Sequence, residues 1–173
     1  LLLRTRARGA SRGIEIRVSG GVVDSSREVG APEGTTLEVT DLFYNVPARR
    51  KFLKSDGAET TQVSRLVTQL ALGHPAVGFS LTSGRRQLLQ CPPASSLEER
   101  LFQLYKDRDD LVEVRKQAAG ITVTGFVAAL AGPGEGPRRG PQNIFVNGRG
   151  VKDRTIAHAI VHAYSTATIK ERS

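Results

Sequence analysis

Seven cations stand at two places where this sequence is about to enter a helical pattern. Arg49, Arg50, Lys51 and Lys54 fall within six residues of "PARRKFLK", and Arg149, Lys152 and Arg154 punctuate "GRGVKDR". The amides that open a helix, with guanidinium and ammonium groups beside them, favour anions, so both clusters suit contact with phosphate. The competing reading is a pair of solvated turns, which is what most charge runs are. The formal net charge of +8 leans toward a polyanionic partner without deciding the matter.

Other reactive residue types carry less. His158 and His162 are four apart, a spacing that can hold a metal, but no Glu follows His158 and no third ligand is apparent, so no metal site is expected. Cys91 is the sole cysteine, which excludes an intrachain disulfide and a Cys-rich metal site and is compatible with a reducing cytosol. It has no obvious base beside it, so a packed thiol is the plainer reading. No Walker-type loop, Ser-centred elbow or paired acidic motif can be read, and no catalytic residue is assigned.

The elements that must position these residues follow from periodicity. Ile14, Ile16 and Val18 alternate with Glu15 and Arg17 as in a half-buried strand, and Gly20-Gly21 marks a turn. "DSSREVGAPEG" reads as a loop, and Leu37 and Val39 alternate again beyond it. Phe43 and Tyr44 read as a strand end, with a break at Pro47. Asp56 and Glu59 have capping-box spacing for a helix whose buried face is Val63, Leu66, Val67, Leu70 and Ala71. A hairpin over "VGFSLTSGRRQLLQ" follows, then "CPPASS", the best internal boundary. Ser96 and Glu99 form a second capping box, and Leu97, Leu101, Leu104 and Tyr105 give that helix its stripe. "DLVEVRK" and "GITVTGFVAAL" read as adjacent strands, "AGPGEGPRRGP" as a surface loop and "QNIFV" as a short strand. A last helix from Asp153 turns Ile156, Ala157, Ile160, Val161 and Tyr164 inward. The second half is thus helix, two or three strands, helix, a small α+β unit.

"LLLRTRAR" is too short and too quickly charged for a signal peptide or a membrane span. The chain contains no Met, and "LLLR" reads as the middle of a strand, so a fragment of a longer protein is expected.

Two segments add what composition cannot. "GTTLEVTDLFYNVPARRKFLK" and "NIFVNGRGVKDRTIAHAI" resemble signatures of the MutL family of DNA mismatch-repair ATPases, in the same order and at the same separation. "LLLRTRARGASRGIEI" is similar to the strand pair that precedes the first signature, so the resemblance spans essentially the whole chain. Val46 stands where many members have Thr, a mild departure.

The resemblance implies an α+β chain. Residues 1–92 would be the C-terminal part of an ATPase domain of the gyrase, histidine-kinase and heat-shock-chaperone type (GHKL). Residues 93–173 would begin a ribosomal-protein-like βαβ transducer domain. It also implies that Gly34 and Thr35 are the surviving nucleotide contacts, Thr35 toward the adenine end of ATP; a threonine hydroxyl can both donate and accept. Arg149, Lys152 and Arg154 are implied as DNA-backbone contacts.

The family's water-activating acid, its Mg²⁺-binding Asn, its Gly-rich phosphate motifs and its γ-phosphate lysine have no counterpart here. The parent is therefore expected to be an ATPase using ATP and Mg²⁺, and this piece to bind neither well and to be inactive alone. Implied partners are DNA without sequence preference, a MutS-type mismatch-recognition protein and a second related chain, in the cytoplasm and away from membranes. The alternative is a free-standing basic nucleic-acid-binding module without nucleotide chemistry, which has no reason to carry the Gly34-to-Lys54 signature.

Overall fold

The computed structural model describes residues 1–106, 110–130 and 142–170, with side chains to residue 167. The expected loop "AGPGEGPRRGP" lies outside the described residues. The chain divides into two compact units, Leu1–Asp56 and Gly57–Ser173.

The first unit is a four-stranded antiparallel sheet. Its strands are β1 (Leu2–Arg6), β2 (Gly13–Ser19), β3 (Val22–Val29) and β4 (Gly34–Glu38), in the spatial order β3-β2-β1-β4. Gly20 and Gly21, at φ of 58° and 94°, supply the left-handed turn that joins β2 to β3 in two residues. The period-two pattern sorts side chains onto two faces. Leu3, Thr5, Ile14, Ile16, Thr35 and Leu37 share one; Arg4, Arg6, Glu15, Arg17 and Arg27 share the other.

Two expectations fail here. Residues 24–29 of the expected loop belong to β3, whose polar sequence pairs with β2 from Val22 to Val29. An edge strand needs no apolar run when its ladder and its side-chain ion pairs hold it. Phe43 and Tyr44 do not end a strand: β4 stops at Glu38, and Asp41 and Phe43 adopt φ of 49° and 64° in a turn. Pro47 opens a short helix, α1 (Pro47–Arg50), at its first position, where the missing N–H costs nothing.

The second unit starts with α2 (Asp56–Gly73). A hairpin follows, β5 (Phe79–Ser83) with β6 (Arg86–Cys91), then α3 (Leu97–Tyr105). Two more hairpins pair β7 (Leu111–Ala118) with β8 (Ile121–Ala128) and β9 (Ile144–Val146) with β10 (Arg149–Val151), before α4 (Arg154–Lys170). The sequence pattern does not announce β10. Asn147 and Gly148, at φ of 49° and 78°, make the tight turn that an Asn-Gly pair favours, and this returns the chain as a strand.

The core lies in this unit, in Ala71, Leu72, Cys91 and Ala94. Much of the stripe expected for α2 is uncovered: Val63, Leu66 and Leu70 are exposed and Val67 is half-buried, while Ala71 is buried as expected and Leu72, outside the expected stripe, is buried with it. α3 is capped as expected, Ser96 Oγ accepting from the Glu99 amide at 3.1 Å. The Glu99 carboxylate reaches back to the Ser95 amide and hydroxyl, at 2.7 and 2.8 Å, and these bonds lower its pKa. On α4, Ala157, Ile160 and Tyr164 are half-buried while Ile156 and Val161 stay exposed, so the inward stripe is narrower than its sequence suggested. No helix among the described residues is long and apolar enough to cross a membrane.

Candidate nucleotide and nucleic-acid contacts

Gly34 opens β4 at φ of 109°, a conformation L side chains rarely adopt, and Thr35 follows it on the apolar face. Register places Thr35 opposite Thr5 of β1, and their hydroxyls are hydrogen-bonded at 2.9 Å, either one able to donate. Both Gly34 and Thr35 are exposed. A hydroxyl offers one donor and two acceptor positions, so Thr35 keeps hydrogen-bonding capacity beyond its threonine partner.

The second set of candidates lies on consecutive elements of the other unit. Arg149 opens β10 opposite Val146, Lys152 lies between β10 and α4, and Arg154 is the first residue of α4. Asp153 supports this corner by accepting from the Ile156 amide at 2.9 Å through its side chain and from the Ala157 amide at 3.1 Å through its carbonyl. Arg149, Lys152 and Arg154 are exposed, and none forms an ion pair among the described residues. Three cations within six residues, beside a helix start whose Ile156 amide is already taken by Asp153, make a positively charged corner. The β9–β10 hairpin that carries them rests on the end of α2: a Cβ at Gly73 would come within 2.9 Å of the Phe145 ring.

Arg49, Arg50, Lys51 and Lys54 lie on and just after α1 and are exposed. His158 and His162 stand with ring centroids 6.4 Å apart, and no group of three or more metal-ligating side chains occurs among the described residues. Cys91 is buried at the end of β6.

Sequence reasoning missed two charged centres. Glu15 is 2% exposed and held by three guanidiniums. Arg4 Nε donates to Oε2 at 2.7 Å, while Arg27, through Nε and Nη2, and Arg17 Nε converge on Oε1 at 3.1, 2.7 and 3.2 Å. The bonds from Arg4 and then Arg27 hold the Glu15 pKa down to about 2 against burial, which raises it. The signal was the charged half of the alternation around Ile14 and Ile16. Arg100, fully buried on α3, donates from Nη2 to the carbonyls of Pro75 and Val77 at 2.6 and 2.7 Å and lies over the Phe79 ring. Nothing in an amphipathic pattern marks such an arginine.

The model of a DNA mismatch repair protein C-terminal domain matches residues 103–173. The DNA mismatch repair protein MutL of Opitutus terrae is 36% identical across 98% of this chain, and that of Syntrophobacter fumaroxidans 41% across 95%. The Aquifex aeolicus MutL ATPase domain complexed with ADP superposes with a TM-score of 0.75 at 35% identity, covering 91% of this chain and 60% of that one. The fold is that of MutL ATPase domains. The chain belongs to the MutL family. It spans about a quarter of the length of the curated relatives it matches, 27% and 24% for these two.

Proposed function

We propose that this chain is the nucleotide-to-DNA connecting part of a mismatch-repair ATPase. In this reading residues 1–92 complete a nucleotide-binding domain and residues 93–173 begin the transducer domain. The observation that carries it is the match, over 91% of the chain, to a MutL ATPase domain complexed with ADP. The start of the matched family model at residue 103 supports the division into two domains.

Thr35 fits the adenine side of such a site, being exposed on a strand with hydrogen-bonding capacity to spare. ATP would supply the triphosphate whose binding and hydrolysis switch the complete protein; Mg²⁺ and the hydrolytic groups would be held by residues other than Gly34 and Thr35. This chain's own contribution is to hold a hydroxyl at the base and to carry cations on the next domain. DNA would be met through its backbone by Arg149, Lys152 and Arg154, without reading of base sequence. A MutS-type protein and a second related chain are the expected partners, and the cytoplasm the expected location.

The test is DNA binding by the full-length protein over a salt series. With Arg149→Glu and Arg154→Glu together, affinity should fall, and the slope of log affinity against log salt should shrink by about 0.9 for each phosphate no longer neutralised. Unchanged affinity and slope in a folded variant would sink the assignment of these cations.

A further inference from the structure

The Glu15 centre is more than a buried ion pair. One carboxylate is gripped by three arginines whose own side chains remain 48%, 51% and 61% exposed for Arg4, Arg17 and Arg27. Arg4 and Arg17 each use only Nε on Glu15, and Arg27 uses Nε and Nη2. Both Nη atoms of Arg4, both of Arg17 and Nη1 of Arg27 therefore have no acceptor among the described residues. On the same face, Arg6 adds a fourth cation and Glu38 of β4 a second acid. Asp24, hydrogen-bonded to Ser19 and beside Arg17, adds a third, so four guanidiniums against three carboxylates leave this face one charge positive.

We infer that this sheet face, built on Arg4, Arg17 and Arg27 around Glu15, is a docking surface for the phosphodiester backbone of DNA. The inference rests on the proposed function for its choice of polyanion and adds a surface to it.

Arg4, Glu15 and Arg27 lie side by side in the register of three adjacent strands, so Arg4 and Arg27 spring from backbones about 10 Å apart. Arg17 lies two residues further along β2, about 7 Å from Glu15. From these separate backbones the three guanidiniums converge on the single Glu15 carboxylate, and their remaining Nη atoms are the donors left for phosphate oxygens. Arginine suits the task, because its planar fork pairs with phosphate oxygens through two parallel bonds. Glu15 acts as a positioning residue. It neutralises one charge and fixes three flexible side chains on a rigid sheet, so that less side-chain freedom is lost when DNA arrives.

Backbone contact of this kind is sequence-independent and salt-sensitive, which sets the experiment. The full-length protein, with Arg17→Gln, Arg27→Gln and Glu15→Gln made singly, is titrated with a fluorescent duplex over a salt series, and folding is checked by circular dichroism. Arg17 and Arg27 are chosen because Arg4 still holds Glu15 in either variant.

Each arginine variant should weaken binding and reduce the salt slope, by about 0.9 for every phosphate left without its cation. Glu15→Gln, which removes a negative charge from the surface but keeps an amide oxygen for the arginines to hold, should move binding the other way. Opposite signs for the acid and its arginines are what a merely structural cluster would not produce. If all three variants weaken binding alike, or if the folded arginine variants match the parent, the surface is overturned. An effect seen on polyglutamate but not on the duplex would also overturn it, in favour of an acidic protein partner. If the unsubstituted protein fails to bind the duplex, the proposed function falls together with this surface; binding by parent and variants alike removes this surface only.

Discussion

Glu15 shows how one residue ties stability to pH. Its carboxyl titrates near 2 in the folded chain against an ordinary value of 4.5, because Arg4 and Arg27 stabilise the charged form. A depressed folded pKa gives stability that is whole above the unfolded value and is lost as pH falls through the folded one. The Glu15 contribution should therefore be complete above about pH 4.5 and disappear between there and about 2. Denaturant unfolding at a series of acid pH values should show stability of the parent falling in that window. The Glu15→Gln variant should lose less stability across it, having no carboxylate to protonate. Equal acid sensitivity in the two proteins would show that the arginine grip contributes nothing to folding.

At the scale of elements, Arg100 fastens α3 to the turn between α2 and β5. Its two bonds from Nη2 satisfy the Pro75 and Val77 carbonyls, and the Ala94 amide also bonds to Pro75 O, at 2.8 Å. The arrangement is not free of cost, since Nε and Nη1 are buried with no acceptor among the described residues. Arg100→Ala should destabilise the protein by about 3 kcal/mol, since hydrogen bonds to charged groups contribute more than neutral ones, the Val77 carbonyl would lose its bond from Arg100 and the Pro75 carbonyl would keep only the Ala94 amide. Arg100→Met should cost less, because it refills the space and removes the unpaired nitrogens. Urea midpoints of the three proteins measure this ordering. A neutral Arg100→Ala would show that the turn is held without α3.

At the scale of the whole chain, exposed apolar surface sets the behaviour. Val22, Val23 and Leu37 are 67%, 61% and 58% exposed in the first unit, Phe52 is 83% exposed, and the α2 residues Val63 and Leu66 are also open. Uncovered apolar surface on that scale drives association. The chain expressed by itself should bind a hydrophobic dye and grow in apparent mass with concentration. A sharp monomer at all concentrations, with no dye binding, would show that these side chains are accommodated in solution.

The elements whose signal is local could be read from sequence. The Ser96 cap, the β5–β6 and β7–β8 hairpins and the alternation of β2 each depend on residues a few positions apart, and the structure has them. The family was legible too, because "GTTLEVTDLFYNVPARRKFLK" is a contiguous run of residue types. Where an interaction joins distant positions, the sequence was silent or misleading. Polar β3 is a strand because β2 lies beside it, and Arg100 is buried because carbonyls 25 and 23 positions away face it. α2 leaves three of the five residues of its apolar stripe open because an amphipathic pattern says which face is apolar, not whether anything covers it. The cations of "GRGVKDR" and the hydroxyl of Thr35 were determined by sequence alone. That Arg4, Arg17 and Arg27 gather on one buried carboxylate was decided by strand register, which no single segment encodes.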